Sequence, residues 1–440
     1  MSDIPAGHRP GRPDADARAG SPASAEADAR GGRPEGGDSE IQFVLELGRS
    51  LHALGHPAHW LEEGMQRAAD QLGLHGQFFT TPTSIFAAFG VQRDQRTWLL
   101  RVEPGEVSLE RLTRVIDTGR DVLAGRRTPA SGTAELRAIF VSPPRWNAWL
   151  TGLAFVLSGA AAGRFLGGGV REVLCAAALG LLLALLARLA ARFGAFARMF
   201  EPTAAFLVSA AASAIAHYVP LSIYVATLAA ILVLLPGLAL TAAMAELSSQ
   251  HLVSGTARLT GAGARFLGLA FGVAMGNRLA ALLVGPAVAV TPLVLPSWTL
   301  WVALVVAPLA FTVLLRARPR DYPWILAVGT LAFVTGRAAA EGFGPELGSF
   351  VGALVAAALS NLLARRRGGS PATTLVPAIL LLVPGSVGFR SLTLLMNRDV
   401  LSGVEAAVRM MVMVAALVAG LLMAGAIAPA PGLADRGRDA

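Results

Sequence analysis

The stretch LLPGLALTAAMAELSSQHLVSGTARL, residues 234–259, decides how this chain is organised. Leu235-Pro236-Gly237 interrupts a long apolar run. Proline lacks a backbone donor and glycine tolerates unusual backbone angles, so a helix is cut where there is little water to receive its freed polar groups. Ser254-Gly255 follows. The arrangement returns in VPGSVGFRSLTLLMNRDVLSG, residues 383–403, where Pro384-Gly385-Ser386 stands 148 residues after the first break and Ser402-Gly403 stands 148 residues after Ser254-Gly255. Trp149 and Trp301 are separated by a similar 152 residues. One offset shared by two motifs marks an internal duplication.

The surroundings of both copies are apolar. The 440 residues are 54% hydrophobic and only 15% charged, with mean hydropathy +0.56, whereas soluble domains are about a quarter charged. A span of the hydrocarbon core needs roughly twenty apolar residues. By that measure stretches 146–165, 172–192, 203–219, 221–243 and 262–285 form one set, and 293–315, 322–340, 345–363, 373–395 and 404–427 a second. The expected fold is a polytopic α-helical membrane protein with about ten transmembrane helices in two five-helix repeats, residues 146–287 and 293–428. An odd number of spans per repeat forces the second copy to insert upside down, so the repeats are inverted.

Every basic residue is Arg, and the formal net charge is +8. The arginines cluster in short gaps between apolar stretches, without the interleaved aromatics of a nucleic-acid surface, which argues against nucleic acid as a partner. Arg188, Arg192, Arg198, Arg258, Arg316, Arg318, Arg320 and Arg365 to Arg367 fall on one side of the membrane if the N-terminus is inside, against fewer on the other. Both termini are therefore expected in the cytoplasm. The single cysteine, Cys175, excludes an intramolecular disulfide framework.

Ahead of the spans, residues 1–39 are rich in Gly, Pro, Ala, Asp and Arg and read as a disordered tail, with a short tail at 429–440. Residues 40–142 read as a small cytoplasmic α+β soluble domain. Phe43, Leu47, Leu51 and Leu54, then Leu61, Met65, Ala68 and Leu72, recur at helical spacing around Gly55-His56-Pro57. Ile85, Ala87 and Phe89, then Trp98, Leu100 and Val102, alternate as strands, and Ser108 is placed to cap a further helix. His52, His56 and His59, with Glu62 and Glu63, superficially resemble metal ligands. The Gly55/Pro57 break spoils the single helix face that an HExxH-type site requires, so they are expected to be surface histidines with no metal and no cofactor.

Ionisable or strongly polar groups inside apolar stretches are candidate pathway residues, because they are costly unless paired or hydrated. Those singled out are Pro236, Gly237, Glu246, Ser254, Gly255, Arg258, Asn277, Arg278, Asn361, Pro384, Gly385, Ser386, Arg390, Ser402 and Gly403. Glu246, whose short side chain snorkels poorly, is the candidate for proton coupling. Backbone freed at the breaks persists at membrane depth only against protein or a watery cavity, and a helix N-terminus suits a substrate carboxylate.

The blocks LELGRSLHALGHPAHWLEEGMQRAADQLGL, QFFTTPTSIFAAFG and TWLLRVEPGEVSLERL, followed by LLPGLALTAAMAELSSQHLVSGTARL and its second-half echo, resemble the threonine/serine exporter family in its fused form, from residue 41 to 426. The resemblance implies a secondary transporter in the inner membrane that exports L-threonine and L-serine by proton antiport, and it is not an enzyme. Two-chain relatives of that family are associated with succinate, which makes a dicarboxylate exporter the alternative. A membrane-anchored hydrolase is a further one, since the soluble block has been likened to hydrolases, although no intact catalytic constellation is present. The carried-over positions are Pro236, Gly237, Glu246, Ser254, Gly255 and Arg258, with counterparts Pro384, Gly385, Ser402 and Gly403; opposite Glu246 stands Leu394. Expected partners are threonine or serine, protons and membrane lipid, and the chain is a candidate homo-oligomer.

Overall fold

The computed structural model describes residues 35–431, apart from 92–93, 104, 106, 287–289, 383–384 and 397–398. Residues 1–34 of the tail expected over 1–39, residues 432–440 of the tail expected over 429–440, and Pro384 lie outside the described residues.

The chain opens with helices α1 (Glu35–Ala53) and α2 (Ala58–Gln71), three strands β1 (Gly76–Thr81), β2 (Ser84–Phe89) and β3 (Arg96–Arg101), and helices α3 (Leu109–Leu123) and α4 (Pro129–Val141). The first helix begins inside the stretch read as a tail. The strands form an antiparallel meander in the order β1-β2-β3, with Phe79 opposite Phe86 and Phe86 opposite Leu99. The period-two pattern does its expected work: Ile85, Ala87 and Phe89 are buried against Phe43, Leu47, Leu61, Met65 and Val115 from the helices. Strand β1 and helix α4 had no distinct sequence signal. Thr128 caps α4 by accepting from the Ser131 amide, whereas Ser108 sits at the N-cap of α3 without a side-chain cap bond.

Helices then fill the rest: α5 (Ala148–Phe165), α6 (Val170–Ala190), the short α7 (Gly194–Ala197), α8 (Phe200–Tyr218), α9 (Ile223–Ile231), α10 (Gly237–Ser248), α11 (Leu252–Val284), α12 (Trp298–Leu314), α13 (Tyr322–Phe343), α14 (Pro345–Arg367), α15 (Ala372–Leu382), α16 (Gly385–Met396) and α17 (Val400–Ile427). Among the described residues seven helical stretches are long and apolar enough to cross a membrane, and the pair Ile223–Leu234 and Gly237–Ser248, bent by 57° at the Pro236 break, makes an eighth. Trp298–Leu314 is a shorter apolar helix. Many large apolar side chains on these helices point outward, among them Leu174, Leu181, Leu185, Phe271, Leu282 and Trp301, as a lipid-facing surface requires.

Packing follows the same scheme on both sides of residue 290. Helix α8 lies along α11, and α14 along α17; α10 packs on α11, and α16 on α17. Glycines set the closest approaches. A Cβ on Gly272 would stand 2.3 Å from the Pro202 carbonyl oxygen, beside the Phe206 amide and Ala205; a Cβ on Gly420 would stand 2.3 Å from the Phe350 carbonyl oxygen, beside the Leu354 amide and Ala353. Each of those four second-half residues lies 148 positions after its first-half counterpart. Gly255 approaches the Ala243 carbonyl, and 148 residues on Ser391 donates to the Gly403 carbonyl at 2.6 Å. The offset seen in sequence is therefore also the offset of the contacts.

The broken helices run in opposite senses relative to the N-terminal unit. The α9–α10 pair ends against it, where Glu246 meets Ala58 and His251 meets Glu62. The α15–α16 pair starts against it, where Thr373 meets Thr113 and the Gly369 carbonyl accepts from Arg120. The N-terminus of α3 is likewise tied to the helical region, the Leu109 and Glu110 amides donating to the Leu315 and Arg316 carbonyls.

Candidate functional site

Two centres stand out, an apolar-walled cavity with a few polar groups and a buried charged cluster, and helix α11 joins them. The first is a cavity of about 360 Å³ among α8, α9, α11 and α16, lined by Ser213, Tyr224, Thr227, Val273, Asn277, Phe389 and Thr393. It lies toward Ile223 at the start of α9 and Gly285-Pro286 after α11, the ends remote from the N-terminal unit. Ser213 donates to Asn277 Oδ1 at 2.7 Å. Among the described lining residues none carries a formal charge. The volume falls at the small end of the roughly 300–1,000 Å³ found for ligand pockets.

Thr227 is the most telling lining residue. It is 2% exposed, and its hydroxyl has no hydrogen-bond partner. A threonine within a helix ordinarily back-bonds to the carbonyl four residues earlier. Thr241 does so to Gly237, Thr312 to Pro308 and Thr393 to Phe389. Thr227 instead leaves its hydroxyl unsatisfied beside the cavity, which costs stability unless something else binds it. The N-terminus of α9 lies at the same wall, where Ser222 Oγ accepts from the Val225 amide and the buried Glu172 carboxylate accepts from the Ser222 amide at 2.9 Å, setting a negative charge at the positive end of the helix. The charge of Arg390 reaches the Tyr224 hydroxyl electrostatically, although Arg390 is itself exposed.

The second centre lies about 28 Å away along α11, measured as the rise between Asn277 and Arg258. Glu246, on α10, is completely buried. One carboxylate oxygen accepts from the Ala58 amide at 2.8 Å and lies 2.9 Å from Arg258 Nε; the other accepts from Ser254 Oγ at 2.9 Å. Ala58 is the first residue of α2, whose N-cap, Pro57, offers no side-chain acceptor. A glutamate from the membrane region thus caps a helix of the N-terminal unit, satisfying one of its orphan amides with a negative charge at the positive end. Arg258 reaches the other side of the same turn, its Nη2 donating to the His56 carbonyl at 3.4 Å.

The expectation of surface histidines is overturned here. His52 is 2% exposed, its Nε2 2.7 Å from the Thr81 carbonyl, and burial lowers its pKa. Burial pushes His56 down to about 4; burial, reinforced by the neighbouring His251 and His56, does the same to His59. The surface that sequence assigned to solvent is the one that faces the helical region, and amphipathic spacing cannot tell water from a docked neighbour. Among the described residues no three His, Cys, Asp or Glu side chains converge to hold a metal ion.

The structure thus gathers Glu246, Ser254 and Arg258 in one cluster and places Asn277 in the cavity. Pro236 and Gly237 are buried at the break between α9 and α10, the Gly237 carbonyl accepting from Thr241. Arg278 is exposed on the opposite side of α11 from the buried Gly276. Asn361 donates to the Ala428 carbonyl at 2.7 Å, and the Ser402 amide donates to Asp399. Gly385 is buried and Ser386 half-buried at the start of α16. Sequence reading passed over Ser213, Tyr224 and Thr227, single polar residues in apolar helices that belong to no motif, and Thr393, inside the second repeat motif but not singled out.

A bundle of apolar helices, broken at the buried Pro236-Gly237 and holding a mostly apolar, uncharged cavity with a few hydroxyl and amide groups, has the build of a polytopic membrane transporter. Two family models, both described as threonine/serine exporter (ThrE), match residues 42–280 and 300–427. The chain belongs to the threonine/serine exporter family. Among curated proteins it is similar to an uncharacterized protein of Schizosaccharomyces pombe, 28% identical over 79% of this chain and 47% of that one. It is also similar to "Pheromone-regulated membrane protein 10" of Eremothecium gossypii, 25% identical over 83% of this chain and 51% of the relative, and of Candida albicans, 24% identical over 80% and 33%. The chain spans about half or less of the length of these relatives. No solved structure matches it.

Proposed function

We propose that the chain is a secondary transporter that exports small neutral amino acids with a hydroxyl side chain, L-threonine and L-serine, across a bacterial-type inner membrane in exchange for protons. The observation that carries this reading is the buried, unpartnered hydroxyl of Thr227 in a cavity of threonine-compatible size and without formal charge among its described lining. The substrate hydroxyl bonds to Thr227, its ammonium group lies against Asn277, and its carboxylate points to the Arg390 side. A dicarboxylate would want fixed cations around it, which the described lining lacks.

The ten-span, inverted-repeat architecture belongs to the same proposal. It counts α8 and α12 as spans and the two broken pairs as one each. The matched contacts at an offset of 148 residues and the opposite sense of the broken helices support it. With the N-terminal unit as a soluble domain in the cytoplasm, the cavity lies toward the outer face, and the Glu246–Arg258–Ser254 cluster closes the inner one. Glu246 is the group whose protonation would release Arg258 and the α2 turn.

The test is uptake of labelled threonine into inside-out vesicles with a pH gradient. Threonine uptake that collapses with an uncoupler, is competed by serine and not by succinate, and falls in Glu246→Gln supports the proposal. Uptake indifferent to the uncoupler removes the antiport, and competition by succinate over threonine favours the dicarboxylate alternative.

A further inference from the structure

His251, in the loop between α10 and α11, reaches the N-terminal unit. Its Nδ1 stands 2.9 Å from the Ser249 carbonyl oxygen, and its Nε2 stands 3.2 Å from Glu62 Oε2 on α2. A carbonyl oxygen can only accept, so Nδ1 must donate. A neutral imidazole has one donor, which leaves Nε2 as a lone pair facing a carboxylate oxygen. That arrangement repels unless a proton lies between them, on the ring or on Glu62. The other oxygen, Glu62 Oε1, accepts from the Thr80 amide at 2.7 Å and the Thr80 hydroxyl at 2.8 Å, which fixes the carboxyl group in place. The position of the atoms thus demands one exchangeable proton across the junction.

Other titratable groups lie nearby: His59 of α2 within electrostatic reach of His251 and of His56 in the turn, and His52 of α1 within reach of Glu246 of α10 and Arg258 of α11. The His59 ring lies 6.0 Å from the His251 ring, and His59 Nδ1 is buried without a partner.

We propose that His251 and Glu62 form a proton-binding site whose shared proton pins the N-terminal unit onto the transport helices, and that further protons taken up by His56 and His59 expel it. Docking then holds over a pH window. On its acid side the sign is fixed: both imidazoles have their pKa lowered in the docked state, so the stability they lend is complete above about 6.5 and is lost as pH falls toward 4. With docked values of about 4 and free values of 6.5, each favours release about tenfold at pH 5.5, and together about a hundredfold. On its alkaline side, loss of the shared proton sets the Nε2 lone pair against Glu62.

Ala58, 2% exposed at the junction, supplies the readout, and Val141, 85% exposed, the reference. In a Cys175→Ala background, Ala58→Cys and Val141→Cys are labelled separately with a soluble maleimide in lipid nanodiscs. The Ala58→Cys rate, divided by the reference rate at each pH, is expected to be lowest near neutrality. It should rise by about two orders of magnitude at pH 5.5 and rise again at high pH. His56→Asn with His59→Asn should abolish the acid rise. Glu62→Gln offers His251 an amide donor in place of the proton and should abolish the alkaline rise while leaving docking at neutrality intact. Hydrogen exchange of the peptide spanning 54–61 in the otherwise unaltered chain reports the same opening should the cysteine variant fold poorly. A normalised rate flat from pH 5.5 to 9 in the parent, or unchanged pH responses in these variants, overturns the proposal. Neither readout involves transport, so its failure is separate from failure of the exporter reading.

Discussion

Replacing Thr227 by valine separates a group kept for binding from a group kept for folding. The two side chains have nearly the same shape, so the cavity wall is preserved while the hydroxyl disappears. That hydroxyl is buried and has no partner within the protein. An unsatisfied buried polar group costs roughly 1–3 kcal/mol, and most of that should be recovered in Thr227→Val. At about 2–4 °C per kcal/mol for larger domains, the purified protein should melt several degrees higher. Transport should move the other way. A neutral hydrogen bond to the substrate hydroxyl contributes roughly 0.5–1.5 kcal/mol, so threonine export should fall by about 2- to 13-fold. The sharper measurement is the ratio of threonine to 2-aminobutyrate, its analogue without the hydroxyl, which should approach one in the variant. Melting in detergent and vesicle uptake of both substrates give the three numbers. A variant that is less stable, or one whose ratio is unchanged, refutes the role given to Thr227. As an internal control, Thr241→Val should destabilise, because the Thr241 hydroxyl is bonded to the Gly237 carbonyl.

Removing Arg258 alone (Arg258→Met) leaves Glu246 buried and unpaired, which should cost about 3–5 kcal/mol, with loss of folded protein in size-exclusion chromatography; Glu246→Gln on top of it should restore a large part of that. Gly272→Ala and Gly420→Ala should both lower the melting temperature, since each new Cβ would meet a backbone carbonyl at 2.3 Å, whereas Gly425→Ala, with nothing within 4 Å, should be neutral. Lengthening the loop between α2 and β1 should leave threonine uptake near normal. Asn277→Leu should abolish it without loss of folded protein, because the asparagine's partner, Ser213, keeps access to the cavity.

Much of the architecture was legible before any coordinates. Apolar runs long enough to span a bilayer, the Pro-Gly breaks and their repetition 148 residues later are written locally, because hydrocarbon depth sets the length of a span and proline acts on its own helix. The same offset reappears in the Gly272–Pro202 and Gly420–Phe350 contacts, since a duplicated sequence packs its small residues against the same neighbours. The glutamate after the first break was also singled out, as an ionisable group in an apolar stretch, and it lies buried with partners.

What those partners are depended on the tertiary structure. Ala58 lies 188 residues from Glu246 and Glu62 lies 189 from His251, and no periodicity links positions so far apart. The histidines of the α1–α2 turn have the spacing of a solvated face, but His52 is bonded to Thr81 inside the N-terminal unit, and His59 lies beside His251 where that unit docks onto α10 and α11. Thr227, Ser213 and Thr393 come from three different helices and share no motif; their chemistry exists because the bundle leaves a cavity where they meet. Local sequence fixes where helices run and stop, through propensity and hydropathy. Which polar groups end up paired, stranded or protonated is settled by which helices come to lie side by side, because hydrogen bonds and desolvation act over a few ångströms in space and take no account of distance along the chain.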